Sequence, residues 1–139
     1  MSKTDIFNST LQKTNLILKQ IEKEFNWDDR HKAYTALRAV LHTLRDRLNV
    51  NQAAAFASQL TIVEKGIFYD GWDPAQVPIK MHREVFLENI RQKFLPFPVE
   101  YDLEIFANTI LRIIRASIDP FEMEKIRSIL PDDLKKIFV

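Results

Sequence analysis

Three histidines, His31, His42 and His82, are the first residues to test for chemistry, because imidazole serves both acid–base catalysis and metal binding near neutral pH. Asp28 and His31 have the three-residue spacing at which a helix presents a carboxylate and an imidazole to one metal ion. A di-iron bundle needs such a pair on two helices, and the second pair is missing. We therefore expect Asp28 to cap a helix and His31 to lie on its surface, with no metal and no cofactor; a metal-dependent enzyme is the least favoured alternative.

Nucleophilic catalysis finds no support in the sequence. There is no cysteine, and the serines lie in predicted helices rather than in a strand–turn–helix elbow. Two glycines are too few for the common phosphate-binding loops. We predict that the protein is not an enzyme.

A basic stripe follows the predicted second helix on the side opposite its apolar face. It consists of His31, Arg38, His42 and Arg45, and a later helix carries Arg112 and Arg115 at the positions of His42 and Arg45. Two parallel cationic edges would suit an acidic partner or a phosphate group. The favoured interpretation is that both edges are solvated faces of amphipathic helices.

The densest group of aromatic residues and prolines lies between residues 68 and 78, and comprises Phe68, Tyr69, Trp72, Pro74 and Pro78. Such a group could line a cleft for a peptide or a ligand, since Trp and Tyr offer large rigid contact areas. The favoured interpretation is structural: Trp72 folds back between two halves of the protein, and Trp27 does the same at the other end.

Composition limits the remaining function classes. The 139 residues are 46% hydrophobic, which suits one globular domain, and a net charge of +1 gives no field that would attract nucleic acid. The first twenty residues are too polar for a signal sequence, and no apolar stretch reaches the length of a membrane span. We expect a cytoplasmic protein that binds neither nucleic acid nor membrane.

Helical periodicity dominates the chain and predicts an all-α fold. The first helix should run from about residue 5 to 25, with a buried stripe of Phe7, Leu11, Thr14, Leu18, Ile21 and Phe25. Asp28 and Asp29 can cap a second helix through about Leu48, and Asn49 with Gln52 resembles a capping box that opens a short helix through about 53–60. Further helices are expected at about 62–69, 82–94 and 100–118, and two short ones should follow caps at Asp119 and at residues 131–133.

Part of the sequence repeats. Residues 36–68 align without a gap on residues 106–138, at an offset of 70, and the apolar positions match in register. This predicts one domain, 1–139, formed by a helical bundle of two pseudo-symmetric units of about four helices each. The first unit covers about 5–71, a connector about 72–81, and the second unit about 82–139.

Four segments carry a resemblance to a known family: Ala36–Leu48, Ala53–Leu60, Gly66–Pro74 (GIFYDGWDP) and Leu130–Phe138 (LPDDLKKIF). Together they resemble the bacterial family known as domain of unknown function 2267. The chain departs from the family at Thr61, where the first unit usually has proline. The resemblance implies a compact all-helical domain of two related halves, and it implies no established activity, substrate or cofactor.

The function that these observations favour is a non-catalytic interaction or scaffold module for a protein partner or a second copy of the chain. The basic stripe would be its contact surface. The alternative is a small-molecule binding protein with an apolar cleft between the halves near Tyr69 and Trp72.

Overall fold

The computed structural model describes residues 4–138, and it is helical without a strand over that range. Eight α-helices and a final 3₁₀ turn follow in order: α1 Thr4–Phe25, α2 Arg30–Arg47, α3 Val50–Ala57, α4 Ile62–Tyr69, α5 Arg83–Phe94, α6 Leu103–Arg115, α7 Pro120–Ser128, α8 Asp132–Lys135 and the turn Lys136–Phe138. The all-α prediction is confirmed. We call α1–α4 the first half and the elements from α5 onward the second half.

Side-chain caps set the beginnings of several helices. The Asp29 carboxylate accepts from the backbone N–H of Lys32 at 3.0 Å and begins α2. Asn49 opens α3 with the predicted capping box. The Asp102 carboxylate accepts from the Ile105 N–H at 3.0 Å. This cap makes α6 begin later than predicted, at Leu103.

The buried face of α1 differs from the predicted one in its first two turns. Leu18, Ile21 and Phe25 are buried as expected, but Phe7 is 62% exposed and Leu11 is also exposed. At this end of α1 the buried residue is the polar Thr10. Its hydroxyl accepts from the backbone N–H of Val63, the second residue of α4, at 3.1 Å. The expectation that Phe7 and Leu11 are buried was wrong.

One hydrophobic core extends across both halves. The Phe25 ring lies 5.2 Å from that of Phe106 on α6, and the Trp27 ring stacks 5.8 Å from Phe94 on α5. Each half thus completes the core of the other. That the halves superpose as copies of one unit stays a prediction.

Candidate functional site

Two residues of the basic stripe on α2 do not face solvent. His42 and Arg45 are each only 4% exposed, whereas Arg38, further toward the helix start, is half-buried and His31, in the first turn, is exposed. Both interpretations of the sequence, partner contact and solvated face, were wrong for His42 and Arg45. These two side chains are internal.

The end of α4 explains why they point inward. The last carbonyls of an α-helix have no partner within the helix. His42 Nε2 lies 2.6 Å from the Ile67 carbonyl oxygen, and Arg45 Nη1 lies 2.9 Å from the Phe68 oxygen and 2.8 Å from the Asp70 oxygen. The two basic residues of α2 therefore supply the hydrogen-bond donors that end α4.

His42 is held in its neutral form. A carbonyl oxygen can only accept, so Nε2 carries the hydrogen that the imidazole donates to Ile67. Burial lowers the pKa of His42 to about 4, and the nearby charges of Arg45 and Arg38 act in the same direction. His42 contributes no positive charge near neutral pH.

The two arginines of the stripe have acidic partners. Arg45 Nε lies 2.8 Å from Asp46 Oδ1, and Arg38 Nη2 lies 3.0 Å from Asp70 Oδ2. The hydrogen bond from Arg38 lowers the pKa of the Asp70 carboxyl. Arg38, His42 and Arg45 are thus used within the fold.

The arginines of α6 have different surroundings. Arg112 is exposed and Arg115 is half-buried. Both border an open groove of about 660 Å³ between the end of α6, α7 and the final turn, lined by Arg112, Arg115, Ala116, Ile118, Pro120, Met123, Glu124, Arg127 and Phe138. Three guanidinium groups and one carboxylate therefore border this space, which we call the arginine groove.

A hydrogen bond at the base of the groove repeats one in the first half. Arg115 Nη1 donates to the Phe138 carbonyl at 3.1 Å, and both residues lie 70 positions after Arg45 and Phe68. Unlike Arg45, Arg115 has no carboxylate partner among residues 4–138, since Ala116 stands where the first half has Asp46. Its remaining N–H groups are available toward the groove.

Arg112 makes no hydrogen bond or ion pair within the described part of the fold. The carbonyl of Ile137, which corresponds to Ile67, accepts instead from the Asn108 side-chain amide at 2.8 Å. Arg112 stands at the position of His42, and across residues 4–138 its guanidinium has neither a hydrogen bond nor an ion pair.

Arg127 is the groove residue that the sequence analysis missed. Its Nη1 lies 3.7 Å from Glu124 Oε1, and its Nε donates to the Lys135 carbonyl at 3.3 Å. The sequence did contain a signal for Arg127. In the alignment at offset 70, this arginine matches Ala57, a small apolar residue, so a charge stands where the first repeat has none.

The aromatic residues predicted to form a cleft lie at the end of α4 and in the connector that follows it. Phe68 is buried, and the Tyr69 ring lies 5.2 Å from Phe68 and 5.3 Å from Trp72. Trp72 is half-buried and Pro74 exposed. The ring contact of Trp72 is with Tyr69, the last residue of α4, whereas Trp27 of the first half stacks on Phe94 of the second half.

A cleft between the halves lies elsewhere. It measures about 460 Å³ and is bordered by α1, the α3–α4 turn and α6, through Lys13, Leu16, Ile17, Gln20, Gln59, Thr61, Glu64, Ile113, Ala116 and Ser117. Glu64 is only 4% exposed, and its carboxylate accepts from the Thr61 hydroxyl.

The remaining candidates give no further site within residues 4–138. No group of three or more His, Asp or Glu side chains there could hold a metal ion. His31 is exposed, as expected, and its ring lies 6.0 Å from that of Phe97. None of the described helices is long and apolar enough to cross a membrane.

Residues 4–138 thus form an all-helical fold with a core shared by both halves and an open groove lined by arginines. Residues 14–137 match the family model described as "Uncharacterized conserved protein (DUF2267)". The chain belongs to this family, as its sequence motifs predicted. No curated protein matches the chain.

Proposed function

We propose that the protein is a non-catalytic interaction module that holds an acidic group of a protein partner in the arginine groove. The single observation that carries this proposal is the guanidinium of Arg112, which has no partner among residues 4–138 and borders an open groove beside Arg115 and Arg127. Guanidinium groups bind carboxylates through paired hydrogen bonds, and the groove contains one carboxylate for three such groups.

The same residues support binding rather than catalysis. Arginine stays protonated at all accessible pH values, so it cannot exchange protons as a general acid or base. The one carboxylate among the residues that line the groove belongs to Glu124, which is exposed and lies beside Arg127. A groove of this composition favours anion recognition, and the predicted cytoplasmic location is part of the proposal.

Native mass spectrometry of the protein purified gently from its own cells tests the proposal. Arg112→Glu reverses a charge that takes part in no described interaction, so it should remove a partner subunit without altering the fold. Lys23→Glu is the matched control, because it reverses the charge of an exposed side chain on α1 that likewise takes part in no described interaction. Loss of the complex only with Arg112→Glu supports the proposal. Persistence of the complex in that variant, or equal loss in both, contradicts it.

The cleft between the halves favours a second candidate, a site for a small molecule. Its volume of about 460 Å³ falls within the usual range for ligand pockets. Glu64 borders it and has no cationic partner among residues 4–138. A buried carboxylate is stabilised by a cation, so the ligand class would be an apolar primary amine.

A thermal-shift screen with apolar primary amines tests this second candidate. A bound amine should raise the melting temperature of the wild-type protein. Ser117→Trp should remove the shift, because it fills the mouth of the cleft, whereas Ser128→Trp changes an exposed serine outside the cleft and should retain it. An amine that stabilises neither wild type nor control, or all three proteins equally, counts against the site.

A further inference from the structure

Two opposite charges border the cleft between the halves. Glu64 of α4 and Lys13 of α1 both line this cleft, whose volume is about 460 Å³. Among residues 4–138 neither side chain forms an ion pair, whether with the other or with a third residue. The cleft therefore offers a carboxylate and an ammonium group that the described part of the fold leaves unpaired.

The Glu64 carboxylate is largely buried, yet it can be reached from the cleft. Its Oε2 accepts from the Thr61 hydroxyl, whereas its Oε1 has no hydrogen-bond partner within the described residues. Trp72 Nε1 is the one fully enclosed side-chain polar atom of residues 4–138 that lacks a partner. Glu64 Oε1 is therefore not fully enclosed, and it is accessible from the cleft that Glu64 lines.

The fold does not require a carboxylate at this position. At the offset of 70, Thr61 and Glu64 correspond to Pro131 and Leu134, and Leu134 is completely buried. The second half thus begins the equivalent helix with an apolar residue. The Thr61 hydroxyl caps no backbone N–H of α4, and it donates to Glu64 instead. Because a buried charge costs free energy unless it is paired, this carboxylate favours a cationic ligand.

Lys13 and the apolar residues of the cleft define the rest of the ligand. Lys13 is exposed, and its flexible four-carbon stem lets the ammonium group approach an anion in the cleft. Leu16 and Ile17 of α1 and Ile113 of α6 line the same space, and Leu16 is 64% exposed. A single ligand could therefore meet a carboxylate, an ammonium group and an apolar wall.

We infer that the cleft binds a free α-amino acid with an apolar side chain. The ligand's ammonium group pairs with Glu64, its carboxylate pairs with Lys13, and its side chain covers Leu16 and Ile17. An α-amino acid carries both charges on one carbon and its apolar part beside them, and hydrogen bonds between charged groups are the strong ones. This inference rests on the second candidate function, the amine site, and adds the ligand's carboxylate and the residue that recognises it.

Isothermal titration calorimetry of the intact protein tests the inference, with L-leucine and L-phenylalanine as probes. Each probe has two matched compounds. The amines isopentylamine and phenethylamine lack the carboxylate, and the acids isocaproate and hydrocinnamate lack the ammonium group. At least one of the two amino acids should bind saturably, and at least tenfold more tightly than its own amine and its own acid.

Two variants assign the two charges. Lys13→Met removes the ammonium group and keeps the apolar stem, so the amino acid should bind about tenfold more weakly while the amine binds as it does to wild type. Glu64→Gln retains an acceptor for the Thr61 hydroxyl and should weaken both ligands at least tenfold. The matched controls Lys23→Met and Glu100→Gln change exposed residues outside the cleft and should bind like wild type.

The outcomes separate this inference from the proposals on which it builds. An amino acid that binds no better than its amine, or that keeps its advantage in Lys13→Met, overturns the inference. If the amine still binds through Glu64 in that event, the second candidate function stands and only the recognition of a carboxylate is wrong. If neither amino acids nor amines bind, the inference and the second candidate both fail, and the proposal for the arginine groove is unaffected.

Discussion

The ends of α2 and α6 carry arginines at matching positions, yet they meet different surroundings. On α2, Arg45 donates to two carbonyls and pairs with Asp46, while a further stretch of chain covers the helix end. On α6, Arg115 donates to one carbonyl and borders an open groove. Arginine therefore stabilises the fold at the end of α2 and is available for binding at the end of α6, depending on what packs beside it.

The largest difference between the two ends should appear in stability. Arg45→Ala leaves the buried Phe68 carbonyl and the part-buried Asp70 carbonyl without this donor, and Asp46 keeps only Lys93 as a cationic partner, so we expect the free energy of unfolding to fall by about 2–4 kcal/mol. Arg115→Ala removes a single hydrogen bond from a half-buried side chain and should cost about 1 kcal/mol. Urea unfolding of both variants measures the contrast. Equal losses would show that the two arginines have the same surroundings.

The neutral imidazole on α2 should make stability depend on pH. The pKa of His42 is about 4 in the fold and near 6.5 when exposed, so between these values the unfolded chain binds a proton that the folded chain does not. The contribution of neutral His42 to the free energy of unfolding is therefore complete above pH 6.5. It is lost as the pH falls toward 4, which lowers the free energy of unfolding by up to about 3 kcal/mol.

His42→Gln is the variant that isolates this effect. Its amide can still donate to the Ile67 carbonyl but does not titrate. Unfolding free energies measured at intervals from pH 7 to pH 4 should fall less steeply in the variant than in wild type. Parallel curves would mean that His42 is protonated as easily in the fold as in the unfolded chain.

The exposed ion pair on α2 should matter much less. Arg38→Ala removes the 3.0 Å contact with Asp70, and because both side chains are more than a third exposed we expect a loss of at most about 1 kcal/mol. Chemical denaturation at low and high salt checks this, since the loss should shrink when salt screens the pair. A loss of stability as large as that of Arg45→Ala would mean that Arg38 stabilises the fold as strongly as the buried Arg45 does.

The smallest effect on stability is expected at the groove itself. Arg112→Ala removes a side chain without partners in the described structure, so unfolding free energy should change by no more than about 0.5 kcal/mol. Partner binding should nevertheless be lost. Thermal denaturation alongside the binding assay measures both quantities, and a marked loss of stability would mean that Arg112 holds the fold together.

Local signals in the sequence predicted much of the fold. The caps at Asp29 and Asn49 act within a few residues, so the pattern alone identifies them. Apolar spacing likewise predicted the buried positions Leu18, Ile21 and Phe25. At the start of α1 the same pattern failed, because Thr10 contacts the beginning of α4, more than fifty residues away.

The site was predictable only in part, for the same reason. Arg112 and Arg115 were predicted as a cationic edge, and both border the groove. His42 and Arg45 have the same pattern, but they are buried because the carbonyls at the end of α4 lie against them. Those contacts join positions more than twenty residues apart, and helical periodicity carries no information about them.

The most direct test of the difference between the two helix ends is hydrogen exchange of the arginine Nε–H groups, measured by NMR on arginine-labelled protein. The account predicts that Arg45 exchanges slowly, Arg115 at an intermediate rate, and Arg112 nearly as fast as free arginine. Protection of Arg112 equal to that of Arg45 would contradict the account, because the end of α6 would then be as well covered as the end of α2.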